Sequence, residues 1–167
     1  MNIEILSNKI ENIFNQHKIP SLSVIITNKN KNILEQYHGY NHIEKPIPFN
    51  QNSIVRIASM TKPITSLCIF QLIERNLISL ETNIEDIDKR FSDIKIVKLI
   101  GDKPEYSKAN TKIKIKHLLN HTSGYGYQFL NPEIKFLVDQ NILQDIQNDG
   151  EDFLDAPILF EPGTRWN

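Results

Sequence analysis

The sequence predicts a mixed α+β fold in which an antiparallel sheet is flanked by helices. Three patterns carry this expectation. Apolar residues recur at helical spacing near the N-terminus, two β-favouring runs follow with a polar stretch between them, and a later run is apolar on most sides.

Each element follows from its residues. Ile3, Leu6, Ile10, Ile13 and Phe14 fall on one face of a helix, and Pro20, just after Ile19, closes the segment. Leu22-Ser23-Val24-Ile25-Ile26 and Ile33-Leu34-Glu35-Gln36-Tyr37 are rich in residues that suit a pleated surface. The polar Asn28-Lys29-Asn30-Lys31-Asn32 between them favours reversal, so the two runs should pair as a hairpin. From Ile64 to Ile73 the chain lacks a polar face, which predicts a deeply buried helix. Cys68 lies within that run and reads as a small packing hydrophobe; as the single cysteine it cannot close an intramolecular disulfide.

Composition narrows the partners. With 40% hydrophobic and 23% charged residues over 167 positions, the chain is an ordinary globular sequence of about one domain's length, which excludes a disordered or collagen-like protein. Nineteen basic against twenty acidic residues leave a net charge of -1, so no bulk positive field exists to hold nucleic acid or an anionic membrane. Small-molecule or peptide substrates remain open. Met1-Asn2-Ile3-Glu4-Ile5 is broken by charge, so no signal segment or membrane span is expected and the chain as written reads as cytoplasmic. No linker divides residues 1–167.

The stretch Ala58-Ser59-Met60-Thr61-Lys62-Pro63 opens the apolar helix. Ser59 suits its N-terminal position, and Pro63 is tolerated in the first turn. Ser59 and Lys62 then sit on neighbouring positions of one face, where their side chains can meet. A serine hydroxyl becomes a nucleophile when a base takes its proton, and a lysine can be that base where burial and the positive helix end disfavour an ammonium. The same helix end aims backbone N–H groups at a developing oxyanion. The spacing alone leaves a plainer alternative, in which Ser59 caps the helix and Lys62 is solvated. Ser92-Asp93-Ile94-Lys95 repeats the pattern without a long apolar helix behind it.

Several blocks together resemble the β-lactamase-related serine hydrolases, the family of class C β-lactamases, D-Ala-D-Ala peptidases and related esterases. Ile54-Val55-Arg56-Ile57-Ala58-Ser59-Met60-Thr61-Lys62-Pro63 is similar to their nucleophile segment. Ile19-Pro20-Ser21-Leu22-Ser23-Val24-Ile25-Ile26 resembles their first strand, with Ser21 where a glycine is common, and Leu77-Ile78-Ser79-Leu80-Glu81-Thr82 their turn after the nucleophile helix. His117-Leu118-Leu119-Asn120-His121-Thr122-Ser123-Gly124-Tyr125 and Phe160-Glu161-Pro162-Gly163-Thr164-Arg165-Trp166 match two further family stretches.

The resemblance implies a penicillin-binding-protein type of fold with a mostly helical subdomain. It implies Ser59 as acyl-accepting nucleophile, Lys62 as its base, and no cofactor or metal. The family also uses a Tyr-x-Asn motif and a Lys/His-x-Gly strand, and neither occurs here. Residues 1–167 are therefore expected to be the N-terminal part of a single catalytic domain, truncated, with an open sheet edge that invites self-association and with little turnover. Substrate stays open among amides, β-lactams, D-amino-acid peptides and esters, and a non-catalytic remnant or ligand-binding module is the alternative.

The other chemistry-bearing residues read as structure. His117 and His121 have the spacing of a zinc-binding helix, but Leu118 stands where such a motif needs glutamate. Gly124 is expected at a left-handed position after a short helix, and Lys114 replaces a threonine that would cap that helix in many family members. Lys112, Lys114 and Lys116 should form one solvated face, and Glu81, Glu85, Asp86 and Asp88 an opposite one. Tyr125, Tyr127 and Phe129 follow Gly124 in a segment that often borders the family's substrate cleft; a tyrosine there standing in for the absent motif is disfavoured.

Overall fold

The computed structural model describes residues 2–145 and 155–167, in two compact units, residues 1–58 and 59–167. In the first unit α1 (Ile3–His17) starts at Asn2, whose side-chain oxygen accepts from the amides of Glu4 at 3.0 Å and Ile5 at 3.4 Å. The helix ends where Lys18 turns left-handed at φ 50°. Strands β1 (Ser21–Thr27) and β2 (Asn32–Gly39) form the expected antiparallel hairpin, with Val24 opposite Gln36. Its reversal is set by Asn28, whose Oδ1 accepts from the amides of Asn30 and Lys31, both at 3.0 Å. Helix α1 lies on β2, where Gln36 Nε2 donates to Ser7 Oγ at 2.6 Å and Phe14 stacks on His38 at 5.2 Å.

The second unit holds α2 (Thr61–Glu74), α3 (Ile84–Ile87), β3 (Lys95–Ile100), β4 (Lys103–Lys108), α4 (Ile115–Leu119) and α5 (Pro132–Asp139). Successive residues of a strand face opposite sides, and β3 uses this to join two cores. Ile96 packs with Ile84, Ile113, Ile115 and Ile158, whereas Val97 packs with Ile134, Leu137, Leu159 and Phe160. Ile158 lies parallel to Ile96; its amide donates to the Lys95 carbonyl at 2.9 Å and its carbonyl accepts from Val97 at 2.8 Å. The next residues are held by Glu161, whose carboxylate accepts from the backbone amides of Asn110 and Thr111, each at 2.9 Å.

Four expectations need correction or extension. Helix α2 is not deeply buried: Ile64, Leu67 and Phe70 are 56%, 60% and 52% exposed, and the helix meets the core through Ile69. A helix apolar on every side has no intrinsic inward face, so only the side that finds neighbours is covered. Cys68, on the same helix, is exposed rather than packed. The lysine and acidic faces are joined rather than separately solvated, because Lys114 and Lys116 both pair with Glu81, at 2.8 and 2.6 Å, and Lys112 pairs with Glu85. The hairpin β3–β4 and helix α5 were not anticipated from the sequence.

Candidate active site

The nucleophile segment starts with a tight turn, Ala58–Met60, that leads into α2. Ala58 has a positive φ of 44°, a left-handed conformation that costs an L-residue about 1–2 kcal/mol. Met60, not Ser59, occupies the cap position of α2, and no side chain caps that end. The capping alternative for Ser59 is thereby corrected: the strained turn moves Ser59 out of the cap, so its hydroxyl is not spent on a helix amide. Instead Lys62 Nζ donates to Ser59 Oγ at 3.2 Å. Both residues are exposed rather than buried. Pro63 is tolerated in the first turn, as its position requires.

Lys62 also approaches Tyr127, with Nζ 5.8 Å from the ring centroid, within reach of a cation–π attraction. The ring stacks on Phe129 at 5.0 Å. The Tyr127 amide donates to Asn131 Oδ1 at 2.8 Å, and Asn131 Nδ2 donates to Asn167 Oδ1 at 2.9 Å. Asn167 Nδ2 in turn donates to the Tyr125 carbonyl at 2.7 Å. Gly126 permits this closeness, since a Cβ there would lie 2.6 Å from Asn131 Oδ1. A cavity of about 570 Å³ opens beside Lys62, bordered by Thr65, Ser66, Ile69, Leu118, Tyr127 and Asn167. Tyr125 also borders it, but burial pushes its phenol up to about 12, which keeps the hydroxyl protonated.

The competing candidates are engaged elsewhere. Ser92 Oγ donates to the Lys89 carbonyl at 2.8 Å, while Lys95 belongs to β3. His117 is 5% exposed, and its Nδ1 accepts from the Lys114 amide at 3.2 Å. Burial, followed by the charges of Lys116 and Lys114, holds its imidazole below the usual histidine range. Lysine has no lone pair to offer as an ammonium, so Lys114 supplies only the backbone half of this cap and sends its side chain to Glu81.

His121 is exposed and left-handed at φ 59°, with its ring 6.4 Å from that of Trp166. His121 makes the first reversal after α4, and Gly124 is left-handed as the sequence predicts, at φ 93°. Gly124 also serves a close approach: a Cβ there would lie 2.6 Å from the Phe160 carbonyl oxygen. Among the described residues no three His, Cys, Asp or Glu side chains are grouped to hold a metal ion.

Sequence reasoning missed Asn131 and Asn167 as the struts behind Tyr127. A usable signal was Asn131-Pro132, an N-cap type followed by proline, ahead of the periodic Ile134, Leu137 and Val138.

Known proteins resemble this chain along most of its length. Acyltransferase mokF of Monascus pilosus is 31% identical over 125 residues, which are 71% of this chain and 30% of that protein. Esterase EstB of Burkholderia gladioli is 24% identical over 176 residues, 96% of this chain and 41% of the esterase. The chain therefore spans less than half the length of these relatives. Among solved structures, the unliganded Simvastatin Synthase (LovD) from Aspergillus terreus superposes with a TM-score of 0.81 at 24% identity. That match covers 97% of this chain and 44% of LovD, and it supports the mixed α+β fold expected from the sequence. The family model described as Beta-lactamase matches residues 6–167, and the chain belongs to the beta-lactamase family.

Proposed function

We propose that Ser59 and Lys62 form the nucleophile and base of an acyl-transfer centre. The observation that carries this is the 3.2 Å contact between Lys62 Nζ and Ser59 Oγ at a strained helix start. As base, Lys62 acts through its neutral amine: Ser59 Oγ attacks the acyl carbonyl, its proton passes to Lys62 Nζ, and the leaving alcohol or amine takes that proton as it departs. Water or a second alcohol then accepts the acyl group from Ser59. The acyltransferase and esterase activities in the names of mokF and EstB favour an ester donor over the β-lactam, amide or D-amino-acid peptide.

We also propose that residues 1–167 are the N-terminal part of one catalytic domain, a reading supported by their covering 30% of mokF and 41% of EstB. With Ser59 and Lys62 in contact, this chain should take up an acyl group on Ser59. The cavity beside Lys62 favours a second reading, a ligand-binding module. The two separate in an ester assay run beside Ser59→Ala. A stoichiometric burst of leaving group that vanishes in the variant supports acyl transfer, whereas saturable ester binding that survives in Ser59→Ala, with no burst in either protein, supports the module.

A further inference from the structure

We propose that Tyr127 is a positioning residue of the Ser59–Lys62 centre, acting through the face of its ring. The proposal rests on the acyl-transfer reading and adds to it a residue that seats the base. Lys62 Nζ reaches two groups, Ser59 Oγ at 3.2 Å and the Tyr127 ring centroid at 5.8 Å. A lysine side chain has many rotamers, and a second contact narrows them towards the one that reaches the serine. The ring face carries negative charge density and draws the lysine head group to this position.

The ring is anchored by contacts other than the one with Lys62. The Tyr127 carbonyl accepts from the amides of Leu130 at 3.0 Å and Asn131 at 2.8 Å, and its own amide is fixed by Asn131 Oδ1. Phe129 stacks on the ring with an interplanar angle of 21°. Asn131 is held in turn by Asn167, so a strut runs from Asn167 through Asn131 and Tyr127 to Lys62. These contacts use the Tyr127 backbone and ring face, and the hydroxyl is tested separately by Tyr127→Phe.

Two measurements on the full chain test the seat and the chemistry separately. With lysine-selective ¹³C labelling, and Lys62 assigned through Lys62→Arg, the Lys62 ε-methylene should be shifted upfield by the ring in the wild type and in Tyr127→Phe. In Tyr127→Leu that shift should disappear. The rate of Ser59 labelling by a fluorophosphonate should fall roughly two- to fivefold in Tyr127→Leu and return on Tyr127→Phe. In a Lys62→Ala background Tyr127→Leu should add nothing.

An unshifted Lys62 resonance in the wild type overturns the seat without any variant needing to fold. A Phe variant as slow as the Leu variant overturns the ring assignment in favour of the hydroxyl. A shifted Lys62 with no Ser59 labelling at all sustains the seat and overturns the acyl-transfer reading.

Discussion

Lys62 Nζ donates to Ser59 Oγ at 3.2 Å across the turn that begins with left-handed Ala58. The contact defines what each residue can be exchanged for. Lys62→Arg keeps the charge and a donor but cannot take a proton, because guanidinium stays protonated. Acylation of Ser59 should fall at least ~10²-fold in Lys62→Arg and similarly in Lys62→Ala, measured as the rate of fluorophosphonate labelling. Wild-type rates in the arginine variant would mean that Lys62 offers only charge.

Gly124 tests the packing that holds the site's floor. At φ 93°, with the Phe160 carbonyl oxygen 2.6 Å from the position of a Cβ, alanine there meets both backbone strain and a backbone atom. Gly124→Ala should cost about 2–4 kcal/mol, read from the urea midpoint, whereas Gly101→Ala, with open space around it, should cost about 1–2 kcal/mol from its φ of 60° alone.

The pH dependence of stability should fall in two stages. Burial keeps His117 below the usual 6.5, so the unfolded chain binds the proton more readily. His117 therefore contributes stability that is complete above about pH 6.5 and is lost as pH falls through its folded value. Asn110's backbone amide, and next Thr111's, hold Glu161 below 4.5; Lys114, then Lys116, hold Glu81 down at about 2. Their contributions are complete above about pH 4.5 and disappear on further acidification, the exposed Glu81 part being weakened by salt.

Glu161→Gln should lower stability at neutral pH, and the gap from wild type should narrow as pH falls below about 4.5. Replacing His117 with glutamine should flatten the upper stage only. Urea midpoints recorded from pH 7 to pH 3 give both results.

How much was legible in the sequence differs by element. Helix α1 and the β1–β2 hairpin could be read because Ile3, Leu6 and Ile10, and the Asn28 turn, state their periods and reversal locally. Ser59 and Lys62 were placed together because residues i and i+3 at a helix start are neighbours whatever surrounds them. Burial of α2 could not be read, since hydrophobicity on all sides names no face and leaves the outcome to tertiary neighbours.

The β3–β4 hairpin was hidden because β4 is Lys103-Pro104-Glu105-Tyr106-Ser107-Lys108, largely polar, and only Ile96 and Val97 of β3 reach the cores. Tyr127 reads from the sequence as part of a segment bordering the cleft, but its ring contact with Lys62 depends on Asn131 and Asn167, which local pattern does not connect.

The exposed side of α2 predicts association. Ile64, Leu67 and Phe70 are each more than half exposed on one helix, an apolar surface that water does not stabilise. Static light scattering should find species larger than a monomer at micromolar concentration, and Leu67→Glu with Phe70→Glu should shift the population towards monomer. A double variant that scatters as the wild type does would show that this face of α2 does not drive association.

The central claim is that Ser59 is the acyl-accepting nucleophile, and peptide mapping after fluorophosphonate treatment tests it most directly. The account predicts one adduct per chain, on the peptide containing Ser59, absent in Ser59→Ala and retained in Ser92→Ala. An adduct on Ser92, or one that persists when Ser59 is alanine, would contradict it.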